Sequence, residues 1–149
     1  MRTVVIGASS GLGRCIGIGL AQRGAQVALL ARRRERLDDD AKEAGPGTLA
    51  VECDVTDPVS CRSAIDEAAT GLGGIDAFVY APGIGPLARL VDTDAETWAS
   101  VFATNVTGAA LATAAAVERL TESTWRSPPS GSTQSAPRSP SGSRGTRTR

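Results

Sequence analysis

The sequence predicts an α/β fold in which a doubly wound parallel sheet is covered by helices on both faces. Three observations predict it. Short segments rich in β-branched and other apolar residues alternate with helical segments along residues 1–123. These short segments have the character of strands that are buried on both faces. A glycine-rich turn also joins the first strand to the first helix. The length of 149 residues suits one domain.

Four strands and four helices alternate along this domain. Right-handed crossovers and a reversal after the third strand predict the spatial strand order 3-2-1-4. The predicted strands are 2–7, 25–31, 48–55 and 74–81, and the helices that follow them are 12–23, 33–44, 57–70 and 94–120.

The first two units are predicted from apolar runs, spacing and glycine stops. RTVVIG is a β-branched run closed by glycine, which is typical of a buried parallel strand. Leu12, Ile16 and Leu20 then recur at a spacing of four, and Gly24 marks the end of that helix. AQVALLA repeats the strand pattern, and the charged stretch after it predicts a surface helix that ends at Gly-Pro-Gly (45–47).

The last two units follow the same logic. TLAVECDV is the third strand, and Asp57-Pro58 begins the next helix, because proline fits the first helical turn. GIDAFVYA is the fourth strand. A long helix over 94–120 completes the ordered part of the chain.

The composition excludes several classes of function. The chain has no histidine, and Cys15, Cys53 and Cys61 lack metal-ligand spacing, so we expect no metal and no catalytic triad that needs an imidazole. Free thiols favour a cytoplasmic protein. We find no stretch of the roughly 18–20 apolar residues that a membrane span needs and no secretory signal, and we therefore expect no membrane partner.

The last 26 residues differ from the rest in composition. Residues 1–123 hold 11 basic and 16 acidic side chains, whereas 124–149 hold five Arg and no acid, and 23 of these 26 residues are Ser, Thr, Pro, Gly or Arg. We expect 124–149 to be disordered, because it has too little apolar surface to offset the entropy of ordering. A tail that binds nucleic acid is the alternative, but the segment lacks Lys and interleaved aromatic residues.

The turn between the first strand and the first helix predicts a dinucleotide-binding loop. Its glycines allow a tight turn and close approach of the backbone to a ligand, and the N-terminus of the helix offers free N–H groups to a pyrophosphate. A tight β-α turn without a ligand is the alternative. Gly17 and Gly19, inside the helix, are explained by close packing on the sheet. The predicted cofactor-binding residues of the loop are Gly7, Ser9, Ser10, Gly11, Leu12 and Gly13.

The glycine spacing G-x-x-x-G-x-G resembles that of the short-chain dehydrogenase/reductase family, although Ile6 stands where the family has Thr. The resemblance covers residues 3 to about 123. It implies the Rossmann part of an oxidoreductase that transfers hydride between an alcohol and a carbonyl with a nicotinamide dinucleotide. A sugar-nucleotide epimerase or reductase of the extended branch is less favoured, since that branch spaces its glycines G-x-x-G-x-x-G.

Further residues match the family in chain order. Asp54 and Val55 are similar to its Asp-Val pair beside the adenine ring, although an Asp that caps a turn is the alternative. The end of the fourth strand, Tyr-Ala-Pro-Gly, matches the family's Asn-Asn-Ala-Gly only at the glycine, which implies cofactor contacts at Ala81 and Gly83. Asn105 is similar to the family's catalytic Asn, and an interhelical hydrogen bond is the alternative.

The end of the second strand favours NADP(H) over NAD(H). NAD-binding domains place an acid about 20 residues after the glycine loop to bind the ribose 2′-hydroxyl, whereas NADP-binding domains use Arg for the 2′-phosphate. Ala31 stands where the acid would be, and Arg32 follows it. An arginine binds phosphate with two parallel hydrogen bonds. A solvated basic turn is the alternative.

The rest of the family's catalytic set does not match this chain. Family members continue with a catalytic Ser and a Tyr-x-x-x-Lys helix, but the only Tyr and Lys here are Tyr80 and Lys42. We therefore expect impaired catalysis, because no general acid is in place. The change of composition near residue 123 suggests a reading-frame change, with a genuine low-complexity tail as the alternative. A non-catalytic dinucleotide-binding module, or an association partner of intact relatives, is the rival function.

A fold that is truncated after the fourth strand and the helix that follows it would leave that strand as an apolar edge with unpaired backbone groups. We also expect an exposed alanine-rich face near 109–117. Both features predict self-association, through the 94–120 helix or through the fourth strand.

Overall fold

The structure is a computed structural model that describes residues 1–122. These residues fall within the predicted domain 1–123. The predicted disordered tail, 124–149, lies outside the described residues.

The structure has four strands: β1 (Arg2–Ile6), β2 (Gln26–Ala31), β3 (Thr48–Glu52) and β4 (Ala77–Tyr80). They form one parallel sheet in the order β3-β2-β1-β4, which confirms the predicted topology. β1 lies at the centre, where Val4 pairs with Ala28 of β2 on one side and with Phe78 of β4 on the other.

The helices begin and end close to the predicted positions, with one difference. The single helix expected over 94–120 is divided by a turn of π-helix, in which backbone bonds span five residues instead of four. The helices are α1 (Gly11–Ala21), α2 (Arg34–Ala44), α3 (Pro58–Leu72), a 3₁₀ turn (Leu90–Asp92), α4 (Ala95–Phe102), the π turn (Ala103–Gly108) and α5 (Ala109–Glu122).

Both faces of the sheet are covered, which explains why the strands are apolar at successive positions. Val4 and Val5 point to opposite faces, and both are fully buried. On the Val4 face the core contains residues of α3 and α5, and on the Val5 face it contains residues of α1 and α2, including Leu37.

Gly17 confirms the predicted close packing of α1 on the sheet, whereas Gly19 does not. A Cβ at Gly17 would lie 2.3 Å from Cδ2 of Leu29 in β2. At Gly19, the one neighbour among the described residues is Nη1 of Arg23, at 3.2 Å. Gly19 therefore lies away from the sheet, and the prediction that it allows helix packing was wrong.

An ion pair joins the beginnings of β1 and β4. The Asp76 carboxylate accepts hydrogen bonds from the backbone N–H of Arg2 (2.8 Å) and from its Nε (3.2 Å), and Arg2 also donates to the carbonyl of Gly73 after α3. Arg2 lowers the pKa of Asp76 to about 2, chiefly through these hydrogen bonds. The contact fixes the position where β4 begins.

The helices on each face are connected by further ion pairs. Between α3 and α5, Arg62 bonds Glu118 (2.8 Å) and Arg119 bonds Asp66 (2.9 Å). Between α1 and α2, Nε of Arg14 donates to the buried Asp40 carboxylate at 2.6 Å. Exposed ion pairs such as Arg62–Glu118 contribute at most about 1 kcal/mol each to the stability of the fold.

The helical run Ala95–Leu120 corrects the expectation that no segment is long and apolar enough to span a membrane. It has 26 residues, and its most apolar window has a mean hydropathy of 1.4. Core helices of other folds pass the same test of length and composition, and here the inner side of α5 packs against α3 and β4. A membrane role does not follow from this feature.

The alanine-rich segment near 109–117 is buried on one side and exposed on the other, where Ala110, Ala114 and Val117 lie, so the expectation of an exposed face is met only in part. Ala112, Ala115 and Ala116 are at most 4% exposed, since they pack on the core. The exposed apolar side chains of this helical run lie mainly before that segment, with Trp98 41% and Phe102 55% exposed.

Candidate functional site

A cleft of about 300 Å³ opens at the carboxyl ends of the strands. It lies at the point where the chain order reverses between β1 and β4, which is where open α/β sheets bind ligands. Ten of the twelve predicted site residues line it: Gly7, Ser9, Ser10, Gly11, Leu12, Arg32, Asp54, Val55, Ala81 and Gly83.

The glycine loop is held in close contact with two other segments. Gly7 has a φ of +79°, and a Cβ there would lie 2.6 Å from the backbone nitrogen of Pro82. Gly13 lies behind the loop and does not line the cleft, because a Cβ there would lie 2.4 Å from the carbonyl oxygen of Gly7. The N–H groups of Gly7 and Ala8 both donate to the carbonyl of Leu30, at 2.8 and 3.1 Å.

The first turn of α1 faces the same cleft without a side-chain cap among the described residues. Ser10 is the N-cap residue and has an extended backbone (φ −170°), but its hydroxyl accepts no bond from the helix. The leading N–H groups of a helix need partners, and the positive end of the helix dipole favours an anion. The loop and this helix end therefore form a suitable cradle for a phosphate group.

Two arginines border the cleft next to the loop, although the sequence singled out only one. Arg32 and Arg33 both line it, and Nη2 of Arg33 donates to the hydroxyls of Ser9 (3.1 Å) and Ser10 (3.4 Å). The run of three arginines at the end of β2 was the signal for the second one. The cleft is thus bordered by two arginines, one of which bonds both serine hydroxyls.

Asp54 caps a turn, as the alternative interpretation held. One carboxylate oxygen, Oδ1, accepts bonds from the backbone N–H (2.9 Å) and the hydroxyl (2.7 Å) of Thr56. These bonds are the main reason that the pKa of Asp54 is lowered, and the charge of Arg32 adds a smaller effect. Because Asp54 also lines the cleft, it is a fixed, ionised acceptor there.

Asn105 binds the loop after β4 and does not line the cleft. Its Oδ1 accepts from the backbone N–H of Ile84 (2.9 Å), and its Nδ2 donates to the carbonyl of Ile84 (2.8 Å). The expected alternative, a bond between helices, is therefore wrong. Asn105 lies in the π turn, and its partner Ile84 lines the cleft together with Pro82, so the amide fixes one wall of the site.

The phenol of Tyr80 is engaged inside the protein. Its O–H donates to the carbonyl of Thr104 in the π turn. Burial raises the pKa of Tyr80 to about 12, with smaller contributions from the thiols of Cys61 and Cys53. Lys42 lies in α2 and pairs with Asp39 at 3.1 Å. Neither the Tyr nor the Lys of this chain is therefore positioned as an acid or base in the cleft.

The fold and the cleft define a dinucleotide-binding α/β domain with its phosphate loop between β1 and α1. A family model described as short chain dehydrogenase matches residues 2–126. The chain belongs to the short-chain dehydrogenase family of oxidoreductases.

Known proteins resemble the chain over most of its length. It is 39% identical over 112 residues to cis-4-hydroxycyclohexanecarboxylate dehydrogenase of Sinomonas cyclohexanicum, which covers 72% of the chain and 45% of that protein. Among solved structures, a short-chain dehydrogenase of Burkholderia cenocepacia in complex with NADP superposes with a TM-score of 0.75 at 32% identity, covering 80% of the chain and 50% of that protein. A 3-ketoacyl-(acyl-carrier-protein) reductase of Brucella melitensis complexed with NADH superposes with a TM-score of 0.77 at 26% identity, covering 80% of the chain and 50% of that protein.

The chain spans less than half of the length of curated relatives such as the Sinomonas enzyme. The matched part contains the sheet and the cleft described above.

Proposed function

We propose that this chain is the NADP(H)-binding part of an oxidoreductase that transfers hydride between an alcohol and a carbonyl. The observation that carries the choice of NADP(H) is the group formed by Arg32, Arg33 and the Ser9 hydroxyl at the edge of the cleft. No acid stands at Ala31 to bind a free ribose 2′-hydroxyl. Two guanidinium groups suit a dianionic phosphate, since each can form charge-assisted hydrogen bonds to it.

The residues present fit such a cofactor along the whole cleft. The loop from Gly7 and the N-terminus of α1 would hold the pyrophosphate, and Asp54 with Val55 would hold the adenine. Ala81 and Gly83 would lie on the nicotinamide side, on the wall that Asn105 fixes. When bound, the nicotinamide ring supplies or accepts the hydride, while the protein orients it and excludes water.

Binding without turnover is the second candidate function. The observation that favours it is the environment of the single Tyr and the single Lys, because the Tyr80 phenol bonds the π turn and Lys42 pairs on α2. Carbonyl reduction needs a proton donor within hydrogen-bond reach of the substrate oxygen. We propose that these 149 residues alone bind NADP(H) with impaired catalysis. A cytoplasmic location is a further proposal, supported by three free thiols.

Titration of the purified chain with NADPH and NADH tests the cofactor proposal. Arg32→Ala and Arg33→Ala each remove a charge-assisted contact worth about 1.5–3 kcal/mol. We expect each to weaken NADPH binding by roughly 10- to 100-fold and to leave NADH binding nearly unchanged. Arg36→Ala is the matched control, because Arg36 is an exposed arginine of α2 that does not line the cleft.

Equal effects of Arg32→Ala on the two dinucleotides would contradict the proposed preference. A second assay then mixes the chain with NADPH and a panel of ketones and aldehydes. NADPH binding without oxidation would support the second function, and steady turnover would refute it.

A further inference from the structure

We propose that Tyr80 is a positioning residue for the cleft. Through the carbonyl of Thr104 its phenol holds the π turn in the form from which Asn105 binds Ile84, and so it fixes the wall formed by residues 81–84. The effect on the loop stands on the described contacts alone. Its consequence for cofactor affinity rests on the function proposed above.

The end of β4 contacts the π turn through Tyr80. Tyr80 is the last residue of β4, and its ring packs on the core face shared with α3 and α5. Its O–H donates to the carbonyl of Thr104. Gly108, one turn further along the helix, leaves room for the phenol, since a Cβ there would lie 2.9 Å from the Tyr80 Oη. Two positions of the π turn are therefore fitted to this hydroxyl.

The π turn sets the rotation of α4 relative to α5. A π turn accommodates one extra residue, and an α-helix advances about 100° per residue. Conversion of the π turn to α-helix would thus rotate α4 relative to α5 by about 100°. Ala112, Ala115 and Ala116 anchor α5 in the core, so the rotation would fall on the residues before it. Asn105 lies in that part and would lose its orientation.

Asn105 connects the π turn to the wall of the cleft. Asn105 uses both of its amide groups on the backbone of Ile84. Ile84 follows Tyr80 by four positions in the sequence. The contacts therefore form a closed ring, from Tyr80 to Thr104, along the π turn to Asn105, and across to Ile84. Residues 81–84, which the ring encloses, all line the cleft.

The protonation state of Tyr80 suits this role. Burial raises the pKa of its phenol to about 12, so it is a hydrogen-bond donor throughout the neutral range. Phenylalanine at this position would fill the same space and remove only the donor. Tyr80→Phe is therefore the variant that separates the hydrogen bond from the packing of the ring.

Hydrogen exchange of the full chain without ligand, followed by mass spectrometry, tests the ring of contacts. We expect Tyr80→Phe to speed exchange in peptides covering 82–86 and 103–108 by about two- to tenfold, the value for one net hydrogen bond, with β2 and α1 unchanged. Phe78→Leu is the matched control, because Phe78 packs on the same core from the same strand. Phe78→Leu should speed exchange in 82–86 no more than it speeds exchange in the rest of the chain.

A double-mutant cycle distinguishes the proposed role of Tyr80 from a general contribution of its side chain to stability. Asn105→Ala should speed exchange in 82–86, and adding Tyr80→Phe to it should cause no further change there, because the two residues act through one ring. Three results would each overturn the proposal. The first is that the two substitutions speed exchange in 82–86 additively, and the second is that Tyr80→Phe leaves exchange in 82–86 unchanged. The third is that Phe78→Leu speeds exchange in 82–86 as much as Tyr80→Phe does. If the variants do not fold, the wild-type chain still decides. An Ile84 amide that exchanges at the rate of an unprotected amide would also overturn it.

Cofactor affinity separates this inference from the proposed function. Tyr80→Phe should weaken NADPH binding by about two- to tenfold in the wild-type background and leave it unchanged beside Asn105→Ala. A chain that binds no NADPH refutes the proposed function, while the exchange experiment still tests Tyr80. Normal NADPH binding with no change in exchange refutes the role of Tyr80 alone.

Discussion

The contact between Gly13 and Gly7 predicts that a single methyl group in α1 destabilises the whole domain. In Gly13→Ala the new Cβ would lie 2.4 Å from the carbonyl oxygen of Gly7 and 3.1 Å from Cβ of Ala81. Real Cβ atoms do not approach backbone oxygens this closely. Because the nearest group is backbone, either the helix or the phosphate loop must move.

The size of the effect is the difference between two opposing contributions. Overpacking a tight contact costs about 1–3 kcal/mol, whereas replacing glycine by alanine inside a helix gains up to about 1 kcal/mol. Because the nearest atom is a backbone oxygen, the cost lies near the upper end, at about 3 kcal/mol. We therefore expect Gly13→Ala to lower the free energy of unfolding by about 2 kcal/mol. Gly19→Ala, on the same helix, approaches only the guanidinium of Arg23 at 3.2 Å. It should therefore raise the free energy of unfolding by up to about 1 kcal/mol.

Thermal and urea unfolding of both variants check the prediction. At about 4 °C per kcal/mol for a domain of this size, the melting temperature of Gly13→Ala should fall by roughly 8 °C. That of Gly19→Ala should rise by up to about 4 °C. NADPH binding should weaken in Gly13→Ala, because its loop is displaced, and stay constant in Gly19→Ala. Equal effects of the two alanines on stability would show that the close contact between Gly13 and Gly7 does not limit the side chain at position 13.

Two further predictions concern acid stability and association. Asp76 has a pKa of about 2 in the folded chain and about 4 when unfolded. Its pairing with Arg2 therefore stabilises the fold above pH 4, and this contribution is lost as the pH falls toward 2. Urea midpoints measured over this range should decline less steeply in Asp76→Asn, and an unchanged slope would contradict the assignment. We also expect the isolated chain to self-associate, because Trp98 and Phe102 are exposed and β4 has one strand neighbour among residues 1–122. A monodisperse, cooperatively unfolding monomer in sedimentation velocity and thermal melts would refute this expectation.

The order of the strands and the glycine loop could be predicted from the sequence because both depend on local signals. Alternating apolar segments, glycine stops and Asp57-Pro58 mark the elements, and handedness then fixes the topology. Asp57 indeed caps α3 by accepting from the N–H of Val59 at 2.9 Å. Ten of the twelve predicted residues meet at the cleft, since the carboxyl ends of parallel strands lie at one edge of the sheet.

The ends of two strands were predicted less well, because pairing partners decide where a strand stops. β3 ends at Glu52 and not at residue 55, since β2 ends opposite it at Ala31. β4 begins at Ala77 and not at residue 74. The preceding Gly74 has a φ of +126°, which is outside strand geometry, and Asp76 is bound to Arg2.

The π turn and its contacts could not be predicted, because they depend on tertiary neighbours. No helix propensity distinguishes a π turn from α-helix at Ala103–Gly108. The bonds from Tyr80 to Thr104 and from Asn105 to Ile84 join positions more than 20 residues apart. The resemblance to the family singled out Asn105 but could not show that its side chain binds the backbone of a loop.

The parallel pairing of β1 with both of its neighbours also constrains how the chain acquires its structure during synthesis. Arg2 pairs with Gln26, and the contact between Arg2 and Asp76 spans 74 positions. No two strands of this sheet form a hairpin, so each pairing must close a long loop before it gains any stability. β1 is thus made before both of its neighbours, and it stays open along one side until Tyr80 has left the ribosome. A nascent chain stalled before Tyr80 would expose the unpaired backbone groups of β1 at the edge of a two-stranded sheet, where chaperones can bind.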